Sequence, residues 1–178
     1  MQSKNYKNWI AILDLKTCKP CRRTHGQIYE MDEIVLVQPP LQRNCRCEIE
    51  AMVARMAGTC TTLGKKGADW ELMHHGVLPA YYITETNAKK AGYISYLGNL
   101  SDVAPGQMLT KGIYSNRNGH LPDAPDRIWY EADINYETGY RGDGRVLFSN
   151  DGLIFVTYDH YKTFVEVVWE DIADGLHE

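Results

Sequence analysis

The chain has 178 residues, 44% of them hydrophobic, enough to bury one core of ordinary size with a small satellite unit beside it. No stretch approaches the ~20 uninterrupted apolar residues of a membrane span, and the opening MQSKNYKNWIAILDLK is too polar to follow the signal-peptide plan, so neither a membrane partner nor an export address is expected in this chain. The net charge of -4 is uneven: residues 1–69 hold 11 Lys+Arg against 7 Asp+Glu, and residues 70–178 hold 8 against 16. An acidic second part argues against broad affinity for nucleic acid, so any activity on RNA has to rest on a locally focused cleft.

The first stretch, Trp9 to Glu50, lacks helical periodicity and is rich in Cys, Arg and Pro, which predicts a small loop-rich unit over 1–50 that needs a staple. Cys18-Lys19-Pro20-Cys21 and Cys45-Arg46-Cys47 supply two thiol pairs separated by 23 residues. That spacing suits a structural zinc held by Cys18, Cys21, Cys45 and Cys47, with His25 able to replace one ligand. Two disulfides are an alternative, as is a redox CxxC, although the βαβ pattern expected around the latter is missing.

Residues 51–66 turn small and polar, with Gly58 and Gly64 as breakers, and read as a linker. A domain over 67–172 and a tail over 173–178 follow. ADWELMHHG places Trp70, Leu72 and Met73 on one helical face, stopped by Gly76 and Pro79. Thr84 is the expected N-cap of a second helix that ends at Gly92.

Beyond Gly106 the pattern switches to short alternating runs, GIYSN, RIWYEADI, RVLFSN, GLIFVTY and TFVEVVW, rich in β-branched and aromatic residues. Asn150, Asp151 and Gly152 between two of them predict a hairpin. Helices followed by an antiparallel meander make an α+β domain.

Glu131, Arg141, Arg145 and His160 stand within this meander. A carboxylate and an imidazole flanking two guanidiniums fit RNA transesterification: a base for the 2′-hydroxyl proton, an acid for the leaving 5′-oxygen, and fixed positive charge for the transition state. The nucleophile belongs to the substrate, so no catalytic cofactor is expected. Spacing alone is equally compatible with surface ion pairs and a solvated histidine.

A longer set of motifs decides between these readings. YYIT, GNLSDVAPG, IYSNRNG followed by LP, W-x-EADINY with GYR after it, and DHYxTF occur in the order found in barnase and binase, and residues from about Ala68 to Val168 are identified as a member of that ribonuclease family. The resemblance implies N-terminal helices packed on a five-stranded antiparallel sheet. It implies Glu131 as general base, His160 as general acid, and Arg141 and Arg145 as phosphate-binding residues. It further implies that Ser115, Asn116 and Arg117 receive a guanine while Tyr161 lies against the base, and that RNA is cut after guanosine through a 2′,3′-cyclic phosphate.

Three positions depart from the family pattern. Glu85 stands where a lysine is usual, and Lys89, Lys90 or Lys111 is expected to restore the positive charge. Asn118 replaces a glutamate that accepts from the guanine edge, which weakens but does not remove the preference. Gly112 replaces an aspartate near the cleft.

In the first unit, W-x-x-x-x-D with C-x-x-C, HG, PP and NCRC resembles the C-terminal segment of phage minor head proteins. This implies a docking module carrying the ribonuclease, with a phage-type structural partner. The combination points to a toxin or effector, extracellular by family resemblance, with RNA as substrate and a barstar-like immunity protein as inhibitor. The alternative is a phage structural or assembly protein whose ribonuclease part has become a weak RNA-binding module.

Overall fold

The computed structural model describes residues 6–169, so the tail expected at 173–178 lies outside the described residues. The chain divides into two compact units: Met1–Val53 together with Asn116–Pro125, and Ala54–Ser115 together with Asp126–Glu178.

The first unit contains strand β1 (Tyr6–Ala11), helix α1 (Lys19–Thr24), and strands β2 (Ile28–Glu30) and β3 (Cys47–Ala51). The strands form an antiparallel sheet in the order β2-β1-β3, with Asn8 opposite both Ile28 and Glu50. The unit is loop-rich, as expected, with these short elements set between long irregular stretches at 12–18 and 31–46. β2 has only three residues, too short a run to show alternation. A compact core of Trp9, Tyr29 and Val35, with Leu41, Cys47 and Ile49 against it, holds the sheet.

The second unit runs β4 (Ala54–Met56), α2 (Ala68–His75), β5 (Tyr82–Thr84), α3 (Glu85–Lys90), α4 (Leu100–Val103), β6 (Met108–Tyr114), β7 (Trp129–Asp133), β8 (Arg145–Ser149), β9 (Ile154–Thr157) and β10 (Val165–Val168). Its sheet has seven strands in the order β4-β10-β9-β8-β7-β6-β5. The α+β class holds, but the five-stranded antiparallel sheet does not. β6 to β10 do form an antiparallel meander, and β4 and β5 add parallel edges on β10 and β6. Each edge strand has three residues, and a parallel partner far along the sequence leaves no local signature.

Residues 51–66, expected as a linker, contribute β4 and two core residues, Ala57 and Cys60. The physical reason is Asp69 at the start of α2. Its fully buried carboxylate accepts from Gly58 N at 2.7 Å, Cys60 N at 2.9 Å and Thr61 Oγ1 at 2.8 Å, tying the segment to the helix. α2 ends as its sequence predicts, with Gly76 in the left-handed region at φ 70°. Thr84 caps α3 by accepting from Asn87 N.

One sheet face is apolar. Ala132, Val146, Ile154, Val156 and Val167 pack with Ala68 and Leu72 of α2, each such buried branched side chain stabilising the fold by ~1.5–3 kcal/mol. The period of two along a strand turns Glu131, Asp133, Arg145 and Thr157, together with the buried Leu147 and Phe155, to the opposite face. That alternation is what gathers polar groups into a site.

Candidate active site

Glu131 lies mid-strand on β7, opposite Gly112 on β6 and Leu147 on β8. Gly112, with φ 73°, sits in the irregular register between Thr110 and Gly112, a backbone conformation that a side chain rarely tolerates. Glu131 is 9% exposed, and its Oε2 accepts a 2.6 Å hydrogen bond from the Tyr161 hydroxyl. Burial, followed by this bond to the carboxylate, pushes the Tyr161 phenol well above its usual range.

Tyr161 belongs to the turn after β9, which a threonine and an aspartate organise. Thr157 Oγ1 accepts from Tyr161 N at 3.0 Å and donates to Asp159 Oδ1 at 3.0 Å. The same Asp159 carboxylate accepts from the backbone of Lys162 and Thr163 and from Thr163 Oγ1. Burial opposes ionisation of Asp159, but these donors outweigh it and hold the carboxyl below its ordinary value. They also enforce φ 56° at His160 and φ 67° at Tyr161, left-handed backbone in two consecutive non-glycine residues, the kind of strain that persists where surrounding contacts over-determine it. The result is an exposed His160 imidazole, with its ring centroid 4.8 Å from that of Tyr161. Tyr161 in turn stacks on Tyr114 at 5.4 Å and 20°.

The two arginines converge on a residue the sequence reading missed, Asp133. Its carboxylate is 1% exposed and accepts from Arg141 Nε at 2.6 Å and Nη2 at 2.5 Å. Arg145 Nε lies 3.2 Å from Asp133 Oδ1 without hydrogen-bond alignment, an ionic contact, while its Nη1 donates to the carbonyls of Gly142 and Gly144 at 2.6 Å each. Burial works against the charge on Arg141, but Asp133 more than offsets it and raises its pKa. The signal was present as an acid two residues after Glu131 on one strand, the spacing that shares a face.

Glu85, at the first position of α3, pairs with Lys89 Nζ at 2.8 Å and Lys111 Nζ at 3.5 Å. The Lys89 hydrogen bond is the main reason its carboxyl lies below the usual range. Two of the three lysines expected to compensate for Glu85 are therefore bound to it, so its negative charge is neutralised locally.

In the first unit, Asn116 and Leu121 close a turn, with Asn116 Nδ2 donating to Leu121 O at 2.9 Å and Leu121 N to Asn116 Oδ1 at 3.1 Å. Arg117 and Asn118 are exposed at its tip, as is Ser115, which clusters with the second unit.

Three of the four expected ligands, Cys21, Cys45 and Cys47, form one group, while Cys18 approaches Cys21 but falls outside it. Cys18 Sγ and Cys21 Sγ are 3.0 Å apart, Cys21 Sγ and Cys45 Sγ 3.6 Å, and the sulfurs of Cys21, Cys45 and Cys47 all lie within 4.8 Å. These separations exceed a disulfide bond of about 2.05 Å, and the group of Cys21, Cys45 and Cys47 is one that can hold a metal ion. All are free thiols. Burial works against ionisation of Cys45, yet the backbone donors of Leu41 and Cys47 bring it down to about 7, whereas burial and the neighbouring thiols push Cys21 up. His25 is engaged elsewhere, its Nδ1 accepting from Ala11 N at 3.0 Å.

The second unit thus carries a buried carboxylate, a strained loop presenting an exposed histidine, and two arginines on one buried aspartate. Residues 68–168 match the ribonuclease family, and the chain belongs to it. Residues 1–50 match the family described as Phage Mu protein F like protein. A ribonuclease of Heyndrickxia coagulans is 45% identical over 96 residues, covering 54% of this chain and 88% of that protein. Ribonucleases of Bacillus intermedius and Bacillus pumilus are 45% identical over the same length but are covered over only 59% of theirs. Family and relatives alike make this an endoribonuclease.

Proposed function

We propose that the chain cleaves single-stranded RNA without a catalytic metal, after guanosine, by attack of the 2′-hydroxyl on the adjacent phosphate. The observation that carries this reading is the Glu131 carboxylate held by Tyr161 beside the Asp133-bound arginines. Glu131 takes the 2′-hydroxyl proton, and the alkoxide attacks phosphorus. His160 protonates the departing 5′-oxygen, and a 2′,3′-cyclic phosphate results, later opened by water with the two roles reversed. A guanidinium has five N–H donors, and Arg141 uses two on Asp133, so the arginines can be oriented by that carboxylate and still meet phosphate oxygens. Ser115, Asn116, Arg117 and Asn118 receive the guanine, and Tyr161 lies at its side.

The role is that of a toxin acting outside the producing cell, with the phage-type unit as its delivery or docking part. A barstar-like inhibitor then has to present acidic groups to Arg117, Arg141 and Arg145. Cys21, Cys45 and Cys47, with Cys18 beside Cys21, are read as a structural zinc site, which would brace the first unit and take no part in the reaction.

The test is incubation of the purified chain with a short RNA containing one guanosine, in excess EDTA, and mass spectrometry of the products. A 2′,3′-cyclic phosphate on guanosine is expected; cleavage at every nucleotide alike, or none in EDTA, sinks the reading.

A further inference from the structure

The segment that follows β6 groups with the N-terminal unit. Asn116–Pro125 clusters with Met1–Val53, although it lies within the ribonuclease sequence. One contact is specific: Ile28 N donates to the carbonyl of His120 at 2.8 Å, and the next two residues, Leu121 at 2% exposed and Pro122, are buried. Leu121 is the residue to which Asn116 is bonded in both directions, and Gly119 N closes the turn on Asn116 O at 2.8 Å. Ile28 is itself fixed, because β2 pairs with β1 through Asn8, and the backbone exchanges Trp9 N to Gln27 O at 3.0 Å and Gly26 N to Trp9 O at 2.9 Å.

We infer that Ile28 and Leu121 are positioning residues for base selection, so that the N-terminal sheet sets the shape of the loop carrying Asn116, Arg117 and Asn118. The inference rests on the reading that this loop receives guanine. Recognition through backbone N–H groups demands that they point to fixed places, and a loop left to itself pays the ordering entropy at each binding event. Here the base of the loop is anchored on a sheet while its tip stays exposed. The phage-type unit is thereby a working part of the enzyme's specificity as well as a docking module. Substitution at Ile28 or Leu121 leaves Glu131, Arg141, Arg145 and His160 unchanged, so a change confined to which base is accepted is expected.

The experiment uses the full chain, unaltered and as Ile28→Pro, which removes the donor to His120, and Leu121→Ala, which removes the buried side chain at the base of the loop. Rates are measured on the dinucleotides GpA and ApA. Both variants are expected to lose about tenfold in the ratio of kcat/KM for GpA over ApA, the worth of one ordering hydrogen bond, while the ApA rate stays within about twofold. If Ile28→Pro unfolds the first unit, seen by circular dichroism, the same loss is expected. An unchanged ratio in both variants overturns the inference, as does a parallel fall on both substrates, which would mark a purely structural role. Equal rates of the unaltered chain on GpA and ApA would instead remove the guanine reading, and this inference with it.

Discussion

Arg141 meets Asp133 through two parallel hydrogen bonds, Nε to Oδ2 and Nη2 to Oδ1, and the aspartate that accepts them is almost entirely buried. A buried pair broken from one side leaves uncompensated charge, which costs ~3–5 kcal/mol. Asp133→Asn is therefore expected to lower the free energy of unfolding in urea by about that amount and to reduce RNA cleavage at least as strongly as Arg141→Ala. A variant as stable and active as the parent would show that Asp133 organises neither arginine.

Glu166 stands in the same cross-strand row as Glu131. Glu131 faces Leu147, Leu147 faces Phe155, and Phe155 faces Glu166, with both apolar residues fully buried. Burial pushes the Glu166 carboxyl up to about 7. A group whose folded pKa is raised stabilises fully below its unfolded pKa of ~4.3, and that contribution is lost as pH rises through the folded value. Glu166→Gln should therefore gain on the order of 2 kcal/mol relative to the parent at pH ~8 and nothing at pH ~4, read from urea midpoints. Equal effects at both pH values would mean the carboxyl is not perturbed.

Glu85 binds Lys89 and Lys111, and Lys111 immediately precedes the glycine that faces Glu131. Freed of Glu85, the ammonium groups become available to the substrate phosphate. Glu85→Gln is expected to raise kcat/KM on RNA by up to about fivefold, and Lys111→Ala to lower it comparably, as partly exposed charges are worth ~1 kcal/mol. If Lys89→Ala, Lys90→Ala and Lys111→Ala all leave the rate alone, these lysines do not replace the missing charge.

The thiols of the first unit predict one zinc ion per chain by native mass spectrometry, lost in Cys21→Ser. Stripping it should lower the stability of the first unit, because the binding free energy of a structural metal is folding free energy. A metal-free mass two hydrogens lighter per cysteine pair would point instead to disulfides.

Part of this molecule was legible in its sequence. α2 follows from the spacing of Trp70, Leu72 and Met73 with Gly76 behind them, and β7 to β10 from alternation and the turn at Gly152. β4 and β5 were not, because three residues show no period and their partners are distant in sequence. Glu131, His160, Arg141 and Arg145 were assigned their roles through the ordered family motifs; their separations alone would fit any sheet. Asp133 escaped because a buried acid beneath two arginines reads, without coordinates, as an ordinary surface charge. The affiliation of Asn116–Pro125 with the N-terminal unit is a long-range packing result that no local pattern encodes.

The central claim, that Glu131 and His160 act as base and acid on RNA, is tested most directly by the cleavage rates of Glu131→Ala and His160→Ala beside the parent chain, in excess EDTA, on an RNA with one guanosine. Each variant is expected to lose about 10²- to 10⁴-fold, the usual contribution of a positioned proton-transfer group, while retaining the parent's circular dichroism. A folded His160→Ala chain that cleaves within about tenfold of the parent would contradict the account, since a contribution that small is below what general acid catalysis supplies.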